Sequence, residues 1–315
     1  MSERRIFYRC PDWDGPTGGI LVIYRHVEIL ARHGIPAYVL HQGRGFRASW
    51  FASDAPVASL AGGPRPRGGD VLVFPEGCRD EMREAAGKAF ERAVFAQNWA
   101  YVYGSLEPGE DWRDWGIRRV LCVSRYIQRL LLQTMELPSA LVHPGIDVEL
   151  FRAGGKRLQI ACMPRKNPKD LRQIEGIFRA RFPRFRAVPF VPIDAVPHAR
   201  VAELLAESAV FLATGYPEGC PLPPLEAMAC ECLVVGFTGR GGGEYMRHGR
   251  NCLIAGDGDV VRAADLLGRV VGMVETEEGA ALRRQARRTA ERFSLAAEEK
   301  AVHRYWRRAL AGEAA

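Results

Sequence analysis

Twice along the chain a series of short apolar strands alternates with amphipathic helices, and the second series restarts after Gly154-Gly155. Strands separated by helices cannot be joined as hairpins; they pair in the same direction, with helices covering both faces of the sheet. In the first series we expect a strand at residues 6–8 and a turn-rich loop at 12–19. A helix follows, on which Ile20, Ile23, Val27 and Leu30 recur every three or four residues until about Gly34. Strands at 37–40, 71–74, 94–96 and 120–123 come next, with helices at 80–92 and 126–134. Residues 44–69, rich in Gly, Pro and Arg, read as an irregular loop. The second series runs strand 158–162, helix 168–181, strand 187–191, helix 199–207, strand 209–213, helix 223–230 and strand 233–236. Residues 259–293 and 295–311 read as terminal helices, the last with no strand of its own to cover.

The length of 315 residues fits two domains of roughly 150 each. A composition of 47% hydrophobic and 26% charged residues excludes a disordered or fibrous chain. Apolar runs such as residues 19–24 and 232–237 are strand-length, far below the roughly 20 residues of a membrane span. The charged start Met1-Ser2-Glu3-Arg4-Arg5 leads into an apolar stretch broken at Arg9 and Asp12, so no signal peptide is expected and the protein is placed in the cytoplasm. Eight cysteines are scattered singly; Cys230 and Cys232 lack the further ligands that a metal needs, and all are read as reduced, mostly buried residues.

The net charge of +7 is uneven. Residues 1–150 hold 18 basic and 18 acidic side chains, whereas the rest hold 26 and 19. Between Arg152 and Arg186 eleven basic residues face only Asp170 and Glu175. Such a cluster suits a phosphorylated ligand, an anionic membrane face or nucleic acid, or is a solvated helix face.

In parallel sheets ligands bind beyond the carboxyl ends of the strands, where helix N-termini present amides to anions. Three loops answer to that position. Gly15-Pro16-Thr17-Gly18-Gly19 opens the first helix, with Gly18 and Gly19 allowing close backbone approach. Arg165, Lys166 and Lys169 cluster at the start of the helix 168–181, where cations oppose the helix dipole and so call for an anionic ligand. Glu218 heads the loop after strand 209–213 and Glu226 follows eight residues later, one turn into a helix opened by prolines. Carboxylates so placed accept hydrogen bonds from sugar and ribose hydroxyls while the cations hold phosphates; the plainer reading is favourable charge at a helix N-terminus.

Residues 215–230 closely resemble the E-x7-E signature of the retaining glycosyltransferases of family four, with Glu218 and Glu226 as the two glutamates. Gly18-Gly19 resembles that family's N-terminal glycine loop, residues 142–151 its interdomain segment, Gly241-Gly242-Gly243-Glu244-Tyr245 with Asn251-Cys252-Leu253-Ile254 the stretch after the signature helix, and Phe293-Ser294-Leu295 its C-terminal end. The resemblance is strong over residues 142–256 and thinner over 1–141. It implies an α/β chain of the GT-B fold, two Rossmann-like parallel-sheet domains facing each other across a cleft. Residues 1–152 would form the acceptor-side domain and 153–294 the donor domain, with 295–315 a C-terminal helix crossing back.

The resemblance further implies that Glu218 binds the transferred sugar and Glu226 the donor's ribose. Arg165, with Lys166 or Lys169, would bind the diphosphate, Arg165 and Lys169 being expected to stabilise the charge on the departing phosphate, and amides of Gly219, Cys220 and Leu222 would face sugar and phosphate. Asn98 or Gln97 would stand where many relatives carry a histidine. Two departures are Pro221, in place of a usual glycine, and Glu231. The expected donor is a nucleoside-diphosphate sugar of UDP or GDP type, with no cofactor and no metal, and the acceptor a glycan or lipid-linked saccharide. Peripheral contact with an anionic membrane is expected, and nucleic acid is not. His198, His248 and His303 are read as surface residues and His143 as structural. A dehydrogenase should show G-x-G-x-x-G after its first strand, and that motif is missing. An inactive, nucleotide-binding subunit supporting a partner enzyme is the alternative.

Overall fold

The computed structural model describes residues 4–312. Residues 1–3 and 313–315, the outermost parts of the expected domain bounds and of the charged N-terminal start, lie outside the described residues. The chain divides into two compact units, one of residues up to Pro144 together with those from Glu298 onward, the other of Gly145–Ala297.

The first unit contains β1 (Ile6–Arg9), α1 (Gly18–Arg32), β2 (Ala37–His41), β3 (Val57–Ser59), β4 (Val71–Pro75) and α2 (Arg79–Glu84). It continues with β5 (Glu91–Ala96), α3 (Trp99–Gly104), β6 (Arg119–Cys122), α4 (Arg125–Met135) and β7 (Ala140–Leu141). Its seven strands pair in parallel in the order β3-β2-β1-β4-β5-β6-β7. The order reverses between β1 and β4, which opens a crevice at their carboxyl ends.

The second unit contains β8 (Arg157–Cys162), α5 (Pro168–Arg181), β9 (Phe190–Pro192), α6 (His198–Glu207), β10 (Ser208–Ala213) and α7 (Leu222–Ala229). After these come β11 (Leu233–Gly236), β12 (Leu253–Ile254), α8 (Val260–Gly272) and α9 (Glu277–Glu291). The parallel order β12-β11-β10-β8-β9 reverses between β8 and β10. Alternate residues serve opposite faces, as the period of two requires. Ile160, Val210, Leu212 and Val235 pack with Leu171, Ile174 and Phe178 of α5 and with α8, whereas Ala161, Phe211 and Val234 pack with α6, α7 and α9.

The last helix, α10 (Leu295–Leu310), belongs to the first unit from Glu298 on. Its Trp306 is fully buried and donates its indole N–H to the Tyr8 hydroxyl at 2.8 Å. Glu298, also buried, lies 2.9 Å from Arg25 of α1. His26 stands beside them, its ring stacked on Phe95. Burial and the neighbouring Arg25 push its pKa down to about 3. The ring is therefore neutral at pH 7, and its 3.7 Å approach to Glu298 is not an ion pair.

Four expectations are corrected. The helix expected at 80–92 stops at Glu84, because the chain turns through Gly87 at φ +77° and Glu91 enters a strand. The loop 44–69 carries a strand, β3, that extends the sheet beside β2. Residues 259–293 form two helices, α8 and α9, parted by a turn whose Thr276 side chain caps α9. Gly154-Gly155, after which the second series was expected to begin, lies within the second unit: Gly154 donates to the Ala206 carbonyl, and Ile146 already bonds Phe293 and Leu295 through its backbone.

Candidate active site

The reversal between β8 and β10 places two loops around an open pocket with a cavity volume of about 80 Å³. Met163, Arg165 and Lys166 line it from the loop after β8, and Thr214, Gly215 and Glu218 from the loop after β10. Pro221, Pro223 and Pro224 form the wall at the start of α7. Arg165 is exposed at the rim, where a guanidinium can meet a ligand before giving up its water.

Polar contacts tie the two loops together. Lys166 Nζ lies 2.8 Å from Glu218 Oε1 and donates to the Pro217 carbonyl at 2.8 Å. The Tyr216 amide donates to Asn167 Oδ1 at 3.0 Å, and its hydroxyl donates to Asp170 at 2.8 Å, a bond that raises the phenol's pKa. On the other side the Glu218 amide donates to the Gly239 carbonyl and the Gly241 amide to the Glu218 carbonyl. Gly239 has φ +62°, and a side chain on Gly241 would collide with the Gly219 carbonyl, so both positions require glycine. The Tyr245 hydroxyl donates to the Pro221 carbonyl at 2.6 Å. Glu218 is thus fixed by its backbone from one direction and by Lys166 from the other.

Glu218 and Glu226 face different surroundings. Glu218 lines the pocket, whereas Glu226 is only 6% exposed and directs Oε1 at His198 Nε2, 3.2 Å away. The His198 ring packs edge-on against Phe151. Gly219 is buried, Cys220 and Leu222 half-buried, and Lys169 is exposed on the first turn of α5, outside the pocket lining. His198, read from sequence as a surface residue, therefore has a partner at the site; its signal was the position after Pro197 at a helix start. Thr214 was also missed. Its Oγ1 is buried at the pocket with no hydrogen-bond partner among the described residues, the condition in which a hydroxyl is available to a ligand.

In the first unit Gly18 and Gly19 open α1, and Thr17 gives no side-chain cap there. The Gln97 side chain donates to the Gly19 carbonyl at 3.2 Å. Asn98 caps α3, its Oδ1 accepting from the Ala100 amide at 3.1 Å. Neither residue is placed by itself. The amides of Gln97 and Asn98 both donate to the Glu76 carboxylate, at 3.0 and 2.7 Å. Burial pushes the Glu76 carboxyl up to about 7 against the pull of those amides. Its signal in the sequence was an acid directly after an apolar parallel strand. Among the described residues no group of three or more His, Cys, Asp or Glu side chains is placed to hold a metal ion.

Residues 118–273 match the family Glycosyl transferases group 1. The chain is 29% identical over 233 residues to an alpha-1,6-glucosyltransferase of Actinobacillus pleuropneumoniae, covering 71% of this chain and 69% of that protein. It superposes on sucrose-phosphate synthase from Thermosynechococcus elongatus with a TM-score of 0.76 at 14% identity, covering 99% and 100% of the two chains. On Anabaena HepE, solved in complex with UDP, the TM-score is 0.70 at 14% identity, covering 96% and 99%. The two parallel-sheet α/β units are those of the GT-B fold. No described helix is long and apolar enough to cross a membrane.

Proposed function

We propose that this chain, whose residues 118–273 match the group 1 glycosyltransferases, moves a sugar from a nucleoside-diphosphate donor to a glycan or lipid-linked saccharide, with retention of configuration and without a metal. The observation that carries the reading is the meeting of Arg165, Lys166 and Glu218 in one pocket at the β8/β10 reversal. The name of the Actinobacillus relative and the UDP bound to HepE support a nucleotide-sugar donor.

When the bond from the sugar's anomeric carbon to the diphosphate oxygen breaks, negative charge grows on the leaving phosphate. Arg165 and Lys166, already in place, stabilise that charge in the transition state. Lys166 is preferred to Lys169 as the companion, because it lines the pocket and is held there by two contacts. Glu218 and the Thr214 hydroxyl accept and donate to the sugar's hydroxyls, and Glu226, oriented by His198, takes the ribose. Amides of Gly219, Cys220 and Leu222 face the sugar and phosphates. The acceptor hydroxyl attacks from the leaving-group side and passes its proton to the departing phosphate oxygen.

Titration calorimetry with UDP, GDP, ADP and CDP, first without metal and then with magnesium, tests the donor site. Metal-independent binding of one nucleotide, lost in Glu226→Ala, is expected, followed by slow hydrolysis of the matching donor sugar. No binding to any of the four defeats the reading. One observation favours a second reading, a nucleotide-binding subunit without turnover: Pro221, Pro223 and Pro224 leave the start of α7 poor in anion-binding amides. Binding with no donor hydrolysis and no transfer would select it.

A further inference from the structure

Among the described residues Trp13 is the most exposed large hydrophobic side chain, at 60%, and it sits in the loop after β1, at the strand reversal of the first unit. The other five tryptophans are buried or half-buried. The loop is not loose. Asp12, on one side of the indole, accepts the amides of Gln42 and Gly43 at 2.9 and 2.7 Å. Asp14, on the other side, accepts the Ser49 amide at 2.6 Å and the Ser49 hydroxyl at 2.7 Å.

Beneath Asp12 runs a buried relay. The Ala48 amide donates to the Tyr24 hydroxyl, so that hydroxyl donates to His41 Nε2 at 2.7 Å, and His41 Nδ1–H donates to Asp12 at 3.1 Å. The indole lies across Gly15, where an added Cβ would come within 2.5 Å of its Nε1. An aromatic ring held outward by contacts on both of its chain neighbours has lost its freedom before any ligand arrives, which is the condition for cheap binding.

We propose that the indole face of Trp13 is the stacking platform for a pyranose ring of the acceptor saccharide; this rests on the transferase reading above. A sugar offers a flat C–H face to the indole and hydroxyl donors to its rim. The rim carries the Asp12 and Asp14 carboxylates, which keep lone pairs free to accept from sugar hydroxyls. No second exposed large hydrophobic residue stands in the 10–19 or 42–50 segments to extend a lipid contact.

The test is tryptophan emission on titration with methyl α-glucoside, methyl β-galactoside, N-acetylglucosamine and maltotriose, with dodecylphosphocholine as the apolar comparison. At least one sugar should change the emission, and Trp13→Ala should abolish the change and raise the sugar's Kd, read by calorimetry, at least tenfold. Trp13→Tyr should restore part of the affinity, and UDP affinity and melting temperature should stay at wild-type values in both variants. The proposal is overturned if no sugar responds, if Trp13→Ala keeps wild-type sugar affinity, or if only the detergent responds. Failure of UDP and the other nucleotides to bind the wild-type chain would instead strike the transferase reading, so the two failures are distinguishable.

Discussion

Arg165 and Lys166 are neighbours in sequence but differ in what holds them. Arg165 is exposed and Lys166 is tied to Glu218 and to the Pro217 carbonyl. Arg165→Ala should lower kcat/KM by about 10²–10³, equivalent to about 2.7–4 kcal/mol of transition-state stabilisation, with no change in melting temperature. Lys166→Ala should cost as much in rate and also lower the melting temperature, because it releases one loop from the other. Lys169→Ala should change kcat/KM less than tenfold; a larger loss in steady-state kinetics would reverse the assignment. At this scale the sequence showed which residue types gather, but not which of them touch. The E-x7-E spacing drew attention to Glu218 and Glu226, yet that Glu226 faces His198 depends on α6 and α7 packing side by side, a contact between residues 28 apart.

Glu76 makes the same point and adds a pH dependence. Its folded pKa of about 7 lies above the ordinary 4.5, so the folded state keeps a proton longer than the unfolded one. Its contribution to stability is full below pH 4.5 and is lost as pH rises to 7 and above. In urea unfolding, Glu76→Gln should therefore gain on the wild type between pH 5 and 7.5. A difference that is flat across that range would show that the carboxyl is already ionised in the folded state.

Among the elements, the loop from β10 to α7 depends on glycines outside it. Gly241→Ala would drive a methyl into the Gly219 carbonyl, and about 1–3 kcal/mol of overpacking strain is expected, read as a lower melting temperature together with loss of nucleotide binding. The pairing of α1 with α10 carries an acid sensitivity of opposite sign to that of Glu76. His26, depressed to about 3 from 6.5, is neutral when folded, so stability is full above pH 6.5 and falls as pH drops. The loss should reach about 2 kcal/mol at pH 5, and His26→Gln should remove it in thermal melts compared at pH 7 and pH 5. Strands and helices with a clear period were readable: α5 and β11 fall where the apolar spacing put them. The helix expected at 80–92 was not, because Glu91-Arg92 owes its extended form to pairing with Val71 and Leu72 of β4, which no local spacing reveals.

For the whole molecule, the two series of the pattern corresponded to two sheets, but the sequence located the seam too late. Ile146 and Phe151 belong to the second unit through the backbone bonds of Ile146 and the burial of Phe151, both made with distant residues. The division between units also predicts how the chain melts. Trp306→Ala opens a cavity beside Tyr8 and should cost about 3–5 kcal/mol, felt by the first unit alone. Differential scanning calorimetry should then show one transition moved down and the other, belonging to residues 145–297, unmoved. Equal displacement of both would mean that the units unfold together.

The lodging of Trp306 against Tyr8 also imposes an order on how the protein is made. A ribosome delivers β1 early, yet the groove beside it cannot be filled until the whole of residues 145–297 has been translated, a wait of roughly ten to thirty seconds at ordinary elongation rates. During that interval the second unit can mature while the first stands open, with Tyr8 and His26 uncovered. A nascent chain stalled before Glu298 would present that gap to chaperones and proteases, so a chain truncated anywhere between Gly145 and Trp306 should leave the first unit open.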